Sequence, residues 1–592
     1  MPYDGAPMSR RRRRGSGWSP IALFAASQQG AWYDPSDFST MFQDSAGATP
    51  VTAVEQPIGL ILDKSKGLAL GSELVTDGGF SNGGTSWLGK TNWTFSGGVA
   101  NAVGSSASVG TERLYQAIAT VAGRSYRVTY TCTSYTSGSG FSVYYGTVDP
   151  PTTAGVFHNA AGTFSEIIVA TGSTTYIGLG ARGSALTASF DNFSVKELPG
   201  NHASQATTTS RPTLSARVNL LTYSEQFDNA AWTKSGLTVT ANSAKGVSGG
   251  TTADTLVEDT TTASHRMYLT ASETSAGTYK LVFYAKPNGR NINAWIREGA
   301  AGVLAEAAFD LSAGTASVSG MILQAGLSNP VATIEPANDG LYKCTFTVIT
   351  TGTSAKAAFF ILNNGTGSNP SYAGDGASGV YLAGADLRLS NDGVNLPAYQ
   401  RIAAATDYDT SGFPYYLKFD GVDDSFSTGS IAFNADKMSV IAGVRKLADA
   451  AGSLICETSG NATSNAGTFN LFGPNGTPST QPYTFRSGGS ISVNADPNAN
   501  LYPAPHTAVL TGLGDIAGDT ATLRVNGTQI AQNTGDQGTG NYTAQSLYIG
   551  QRGGSSLPAN MRLYGLIVRN AALSAAELAT TEAWMNLKTR AY

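Results

Sequence analysis

From Leu74 onward the chain is built of short runs in which apolar and polar residues alternate, separated by clusters of Gly, Ser and Asn. Ser125-Tyr-Arg-Val-Thr-Tyr-Thr131, Phe141-Ser-Val-Tyr-Tyr145 and Phe190-Asp-Asn-Phe-Ser-Val-Lys196 fall in a first stretch. Tyr279-Lys-Leu-Val-Phe-Tyr-Ala285, Ile292-Asn-Ala-Trp-Ile296 and Tyr342-Lys-Cys-Thr-Phe-Thr-Val348 fall in a second. A third holds Met438-Ser-Val-Ile-Ala-Gly-Val444, Ala521-Thr-Leu-Arg-Val525 and Leu563-Tyr-Gly-Leu-Ile-Val568. Period-two alternation in β-branched and aromatic residues predicts strands with one buried face. Strands at this spacing, with no helical pattern between them, predict an all-β chain of three antiparallel sandwich or jelly-roll domains. One helix is predicted, where Ser574 and Glu577 form a capping box ahead of Leu578, Trp584 and Met585.

Composition narrows the function classes. Gly contributes 70 of 592 residues and only 13% are charged, which suits turns and strands better than helices. The net charge of −4 argues against a nucleic-acid scaffold or an acidic solvating tail. Cys132, Cys344 and Cys456 are far apart, as are the four histidines, so neither a disulfide framework nor a zinc spacing is present. No apolar run approaches the roughly 20 residues of a membrane span. Arg10, Arg11, Arg12, Arg13 and Arg14, followed by Ile21-Ala-Leu-Phe-Ala-Ala26, imitate a signal peptide, but the apolar part is short. Residues 1–29 are therefore expected to be an irregular arm, with the five arginines gripping an acidic partner surface or nucleic acid.

Ala31-Trp-Tyr-Asp-Pro-Ser-Asp37 and Leu62-Asp-Lys-Ser-Lys-Gly67 resemble the opening of a concanavalin-like, laminin-G-type jelly roll found in many bacteriophage proteins. In that family the stretch runs on directly into pieces similar to Gly200-Asn-His-Ala-Ser-Gln205, Arg211-Pro212 and Phe419-Asp-Gly-Val-Asp-Asp424. Here the pieces are far apart. The resemblance implies a discontinuous jelly roll formed by 30–67, 200–217 and 403–592, interrupted by sandwiches at 68–199 and 218–402. Glu73-Leu-Val-Thr-Asp-Gly-Gly-Phe80, Trp93 and Phe190-Asp-Asn-Phe-Ser-Val195 resemble carbohydrate-binding modules of the galactose-binding-like type. Asn219-Leu-Leu-Thr-Tyr-Ser-Glu-Gln-Phe227, Ala231-Trp-Thr-Lys234 and Asp339-Gly-Leu-Tyr-Lys-Cys344 resemble a sandwich recurrent in phage fibre and virion proteins.

Glycan contact calls for aromatic faces beside hydrogen-bonding loops, and Trp87, Trp93, Tyr144, Tyr145 and Trp295 are the expected contacts. Asp420, Asp423 and Asp424 cluster carboxylates, but Asp-Gly is a turn pair and no second acid can be placed opposite, so they are read as a turn. Gly138-Ser-Gly140 lacks the setting of a nucleophile elbow, and phosphate-binding loops are absent. No cofactor is expected beyond a possible calcium near Asp191, where the resembling carbohydrate module places a structural acid.

These readings combine into a virion structural protein, a tail fibre or similar appendage, that binds host surface glycans during adsorption and is not an enzyme. Its expected partners are other virion proteins, reached through the N-terminal arm, and further copies of itself as a homo-oligomer. A capsid-attached head fibre or decoration protein is the alternative, and a capsule depolymerase the second.

Overall fold

A computed structural model of the chain describes all residues except 1–16, 26, 106–111, 184, 300–301, 366, 369–370, 450–451, 459–465 and 477–481. Arg10 to Arg14 lie outside the described residues. The architecture is all-β, in antiparallel sheets packed as sandwiches. Every strand predicted from alternation lies within an observed strand. The reason is visible in Tyr342–Thr350, where buried and half-buried positions alternate along the whole strand.

Two large sheets draw on distant parts of the chain. In one, Thr213–Ser215, Tyr416–Asp420, Asn560–Arg569, Lys437–Lys446, His506–Asp515, Thr520–Val525 and Thr528–Asn533 follow in order, and Gly30–Tyr33 pairs with Asn560–Arg569. The other places Met41–Phe42, Leu60–Ile61 and Ala203–Ser204 beside Phe426–Ala435 and the strands after it. Between them lies one core containing Tyr33, Ile61, Leu214, Phe419, Phe469 and Leu566.

Strands between Trp93 and Leu198 form a five-stranded and a four-stranded sheet around a core of Trp87, Tyr130, Phe141, Leu179 and Phe190. Strands between Thr233 and Leu389 form two six-stranded sheets around Trp232, Leu281, Phe309, Phe346 and Phe360. The helix Ala575–Thr589 starts at the predicted capping box: the Glu577 backbone N–H donates to Ser574 Oγ, and the Ser574 backbone N–H donates to Glu577 Oε2 at 2.8 Å. It buries Met585 against Trp32, Ile441 and Ile567.

The points where the chain leaves and re-enters the large sheets are closed by buried polar side chains. Asp63 accepts N–H bonds from Trp32 (2.8 Å), Ser65 (2.8 Å) and Asn201 (2.7 Å), and its own N–H donates to His202 Nδ1 at 2.9 Å. Gln400 Oε1 accepts from the Val218 and Asn219 N–H groups, while Asn219 Nδ2 donates to the carbonyls of Ala385 and Gln400. Buried backbone groups at these crossings are thereby paired by side chains.

Candidate functional site

The four-stranded sheet of the sandwich at 93–198 has an inner face of Leu114, Ile118, Val143, Ile177 and Leu179. Its outer face is set by register. Gly178 stands opposite both Tyr115 and Tyr144, Tyr176 stands opposite Ala117 and Gly146, and Gly180 stands opposite Ser142. Directly opposed residues share a face, so three tyrosines from three strands converge there.

Glycine is required at 178, and a larger residue at 180 would be tight. A Cβ on Gly178 would lie 1.9 Å from the Leu114 carbonyl oxygen, and one on Gly180 would lie 3.0 Å from Arg113 Cγ and from Tyr144 Cε2. The close approach lets the Arg113 guanidinium settle 4.1 Å from the Tyr144 ring centroid. Arg113 also donates to the Pro151 carbonyl. Tyr115 donates its hydroxyl to Asp149 Oδ1 at 2.5 Å, and burial together with that carboxylate pushes its pKa up to about 12. Tyr176 meets Tyr115 edge-on at 6.2 Å and is half-buried. Exposed Ala117, Ala119 and Thr174 around it have small side chains, so part of its ring faces solvent.

Two buried polar atoms on this face, Ser142 Oγ and Arg113 Nε, have no hydrogen-bond partner. A polar ligand lying along the face would find the half-buried Tyr176 ring, the half-buried Arg113 and the exposed Asp149 carboxylate within a few residues of one another. That combination suits sugar rings, whose C–H faces stack on aromatics and whose hydroxyls bond to charged groups.

Most of the aromatic residues expected at this task are elsewhere. Trp87 is 1% exposed, donates its indole N–H to the Asp77 carbonyl at 3.1 Å and packs on Phe80 and Phe193. Trp93 donates to the Glu112 carbonyl at 2.7 Å from within the same core. Trp295 is buried against Phe359, with its N–H on Glu306 Oε1 at 2.9 Å. These three are corrected from platform to core: each indole has a protein acceptor, which permits burial. Tyr144 does belong to the outer face but lies buried under Arg113, and Tyr145 points to the inner side. Tyr115, Tyr176, Arg113 and Asp149 were not anticipated. The one signal for them was the spacing of Tyr176, Gly178 and Gly180 at every second residue.

Around Asp191, the position considered for calcium, the structure shows local hydrogen bonding. The Asp191 carboxylate accepts from the N–H (2.6 Å) and Nδ2 (3.3 Å) of Asn192, and among the described residues it belongs to no group of three or more His, Cys, Asp or Glu side chains at metal-ligand spacing. The group of described residues with metal-ligand spacing is Asp420, Asp423 and Asp424, whose oxygens lie within 4.8 Å of one another. Their bonds are those of a turn. Asp420 Oδ1 accepts from Val422 N–H at 2.8 Å, Asp424 Oδ2 accepts from Asp420 N–H at 3.0 Å, and Ser210 Oγ donates to Asp423 at 2.9 Å. Burial, with Asp420 and Asp423 adding repulsion, raises the Asp424 pKa to about 6.

No family model matches the chain, and no curated protein matches it. Among solved structures, part of the chain is similar to the CBM40 module of the Ruminococcus gnavus IT-sialidase bound to alpha2,6 sialyllactose. That match is 14% identical and covers 25% of this chain and 85% of that one, with a TM-score of 0.21. The NanB sialidase from Streptococcus pneumoniae is 15% identical over 27% of each chain, with a TM-score of 0.21. The enzymatically active domain of Bacteriophage CBA120 tailspike protein 4 is 19% identical over 30% of this chain and 22% of that one, with a TM-score of 0.19. At such TM-scores no functional argument rests on these likenesses. Among the described residues, no helix is long and apolar enough to cross a membrane.

Proposed function

We propose that this protein is a structural component of a bacteriophage particle, an appendage that holds host surface glycans on the outer face of its first inserted sandwich without cleaving them. The observation that carries the binding part is the convergence of Tyr115, Tyr144 and Tyr176 around Gly178, with Arg113 and Asp149 at their edge. The particle part rests on the family resemblance of the sequence motifs. Against cleavage, the clustered carboxylates Asp420, Asp423 and Asp424 sit on one turn with their oxygens within 4.8 Å of one another. Glycoside hydrolysis uses two carboxyl groups flanking the bond at roughly 5 to 9.5 Å. Single sites of this kind bind weakly, and many copies on one particle would raise the avidity.

The test incubates purified protein with host capsule and lipopolysaccharide, measuring retention and new reducing ends separately. Retention without new ends, reduced about tenfold by Tyr176→Ala, is the expected result. New reducing ends that vanish on Asp424→Asn would establish a depolymerase. Absence of both would favour a capsid decoration protein.

A further inference from the structure

The first inserted sandwich packs on the large sheets through the outer face of its five-stranded sheet, and that seam leaves one guanidinium unanswered. Arg127 stands in Ser125–Ser137 with Ile167 and Lys196 as its register partners on either side. Ile167 enters the apolar seam with Phe42, Leu60, Leu62 and Leu198, and Lys196 turns to Glu73 at 3.9 Å. Arg127 has no ion pair and no hydrogen bond among the described residues, although it is half-buried. Desolvation lowers its pKa with no acid to offset it. An arginine removed from water is ordinarily paired.

Arg127 lines an open cleft of ≈ 320 Å³, together with Phe38, Gly47, Ala48, Pro50 and Ser165. The acids beside this cleft are already engaged. Asp37 holds Lys64 at 2.6 Å and the Ser39 hydroxyl, and Asp44 accepts the N–H groups of Ala46, Ala48 and Thr49. On the other side His202 is kept neutral, its pKa pushed down to about 4 by burial, with Arg127 contributing. The cleft thus carries an unneutralised positive charge against a wall of mixed polar and apolar character.

We propose that this cleft is a subsite for a carboxylate-bearing sugar unit of an acidic glycan, with the Arg127 guanidinium receiving the carboxylate. A planar fork of N–H donors matches a carboxylate in two parallel bonds. Half-buried Phe38 and exposed Pro50 offer an apolar surface to the C–H face of a ring, Ser165 offers a hydroxyl, and the volume suits about one sugar ring. The proposal rests on the reading that the chain binds glycans, but it uses a surface separate from the tyrosine face.

The experiment titrates the full chain with methyl glucuronide and with its neutral counterpart, methyl glucoside, by ligand-observed NMR. The glucuronide should bind at least about tenfold more tightly, and Arg127→Gln should bring it to the level of the glucoside. Ser165→Trp, at an exposed lining position, should block the cleft while leaving the charge in place, which covers the case that Arg127→Gln perturbs folding. Equal binding of the two sugars, or an Arg127→Gln protein that still prefers the acid, would overturn the proposal. So would inorganic phosphate binding as tightly as the glucuronide in an Arg127-dependent manner, since that marks a general anion hole. Tyr176→Ala separates the two readings: loss of neutral-glycan retention with the glucuronide preference intact supports both sites. No effect of Tyr176→Ala beside an Arg127-dependent preference refutes the tyrosine face alone.

Discussion

Glu166 should make the first inserted sandwich less stable as pH rises from acid to neutral. Its side chain is 2% exposed, Oε2 accepts the Val156 N–H at 3.0 Å, and Oε1 has no partner. Tyr130, whose hydroxyl is also unpartnered, and Tyr145 stand near it, so no positive group offsets the buried charge. Burial raises the Glu166 pKa from 4.5 to about 7, with Asp44 adding repulsion. Below pH 4.5 the carboxyl is protonated in both the folded and unfolded states, and nothing is lost. Above about pH 7 it is ionised in both, and the folded state bears the whole cost. The gap corresponds to about 3 kcal/mol, lost progressively across that window. Glu166→Gln keeps an acceptor for Val156 and removes the proton linkage. In calorimetry, the transition of this sandwich should coincide in the two proteins at pH 4.5 and lie roughly 10 °C higher in Glu166→Gln at pH 8. His158, whose pKa burial lowers, works in the opposite direction as pH falls, but it is common to both proteins and cancels in the difference. Parallel pH profiles for the two proteins would refute the reasoning.

Asp424→Asn should stabilise the large-sheet domain by about 1 kcal/mol above pH 6, because asparagine still accepts the Asp420 N–H while the cost of burying the charge, and the repulsion from Asp420 and Asp423, disappear. Denaturant midpoints at pH 5 and pH 8 check this, and a variant that loses stability at both would count against it. Deleting residues 68–199 should leave a soluble protein with a cooperative transition, since Asp63 and Asn201 are already bonded to each other at 2.7 Å. The deletion also uncovers Phe42, Leu60 and Leu62, so the unfolding free energy should fall by roughly a few kcal/mol. Aggregation of this variant, when an equally large terminal truncation stays soluble, would exclude the insertion reading.

The strands were legible because most of them bury one face, and alternation is then written into the residues. Lys356–Asn363 is harder to read: all its positions are buried, since Ala358 and Phe360 enter the core while Phe359 and Ile361 pack in a separate cluster on the other side. Period two is lost when both faces are covered. The aromatic contacts failed for a different reason. Whether Trp87 faces the core depends on whether its N–H finds an acceptor there, and the Asp77 carbonyl that serves it is presented by backbone geometry, invisible in side-chain identity. The tyrosine face needed still more. Tyr115, Tyr144 and Tyr176 are distant in sequence and meet only because the register sets Gly178 between two of them. Arg127 could not be singled out at all, since its isolation depends on how a sheet face docks on another domain.

The same docking explains why the tyrosine face is available. Ile167 and Leu198 belong to the five-stranded sheet and enter the seam with Phe42, Leu60 and Leu62, so that sheet is committed to the rest of the protein. The four-stranded sheet packs its inner face on the sandwich core, which leaves its outer face as the surface turned away from the seam. Because the crossing between 63 and 201 is closed by Asp63 and His202, the backbone there is satisfied without any help from that outer face. Residues on it are therefore free of fold-keeping duties at the junction.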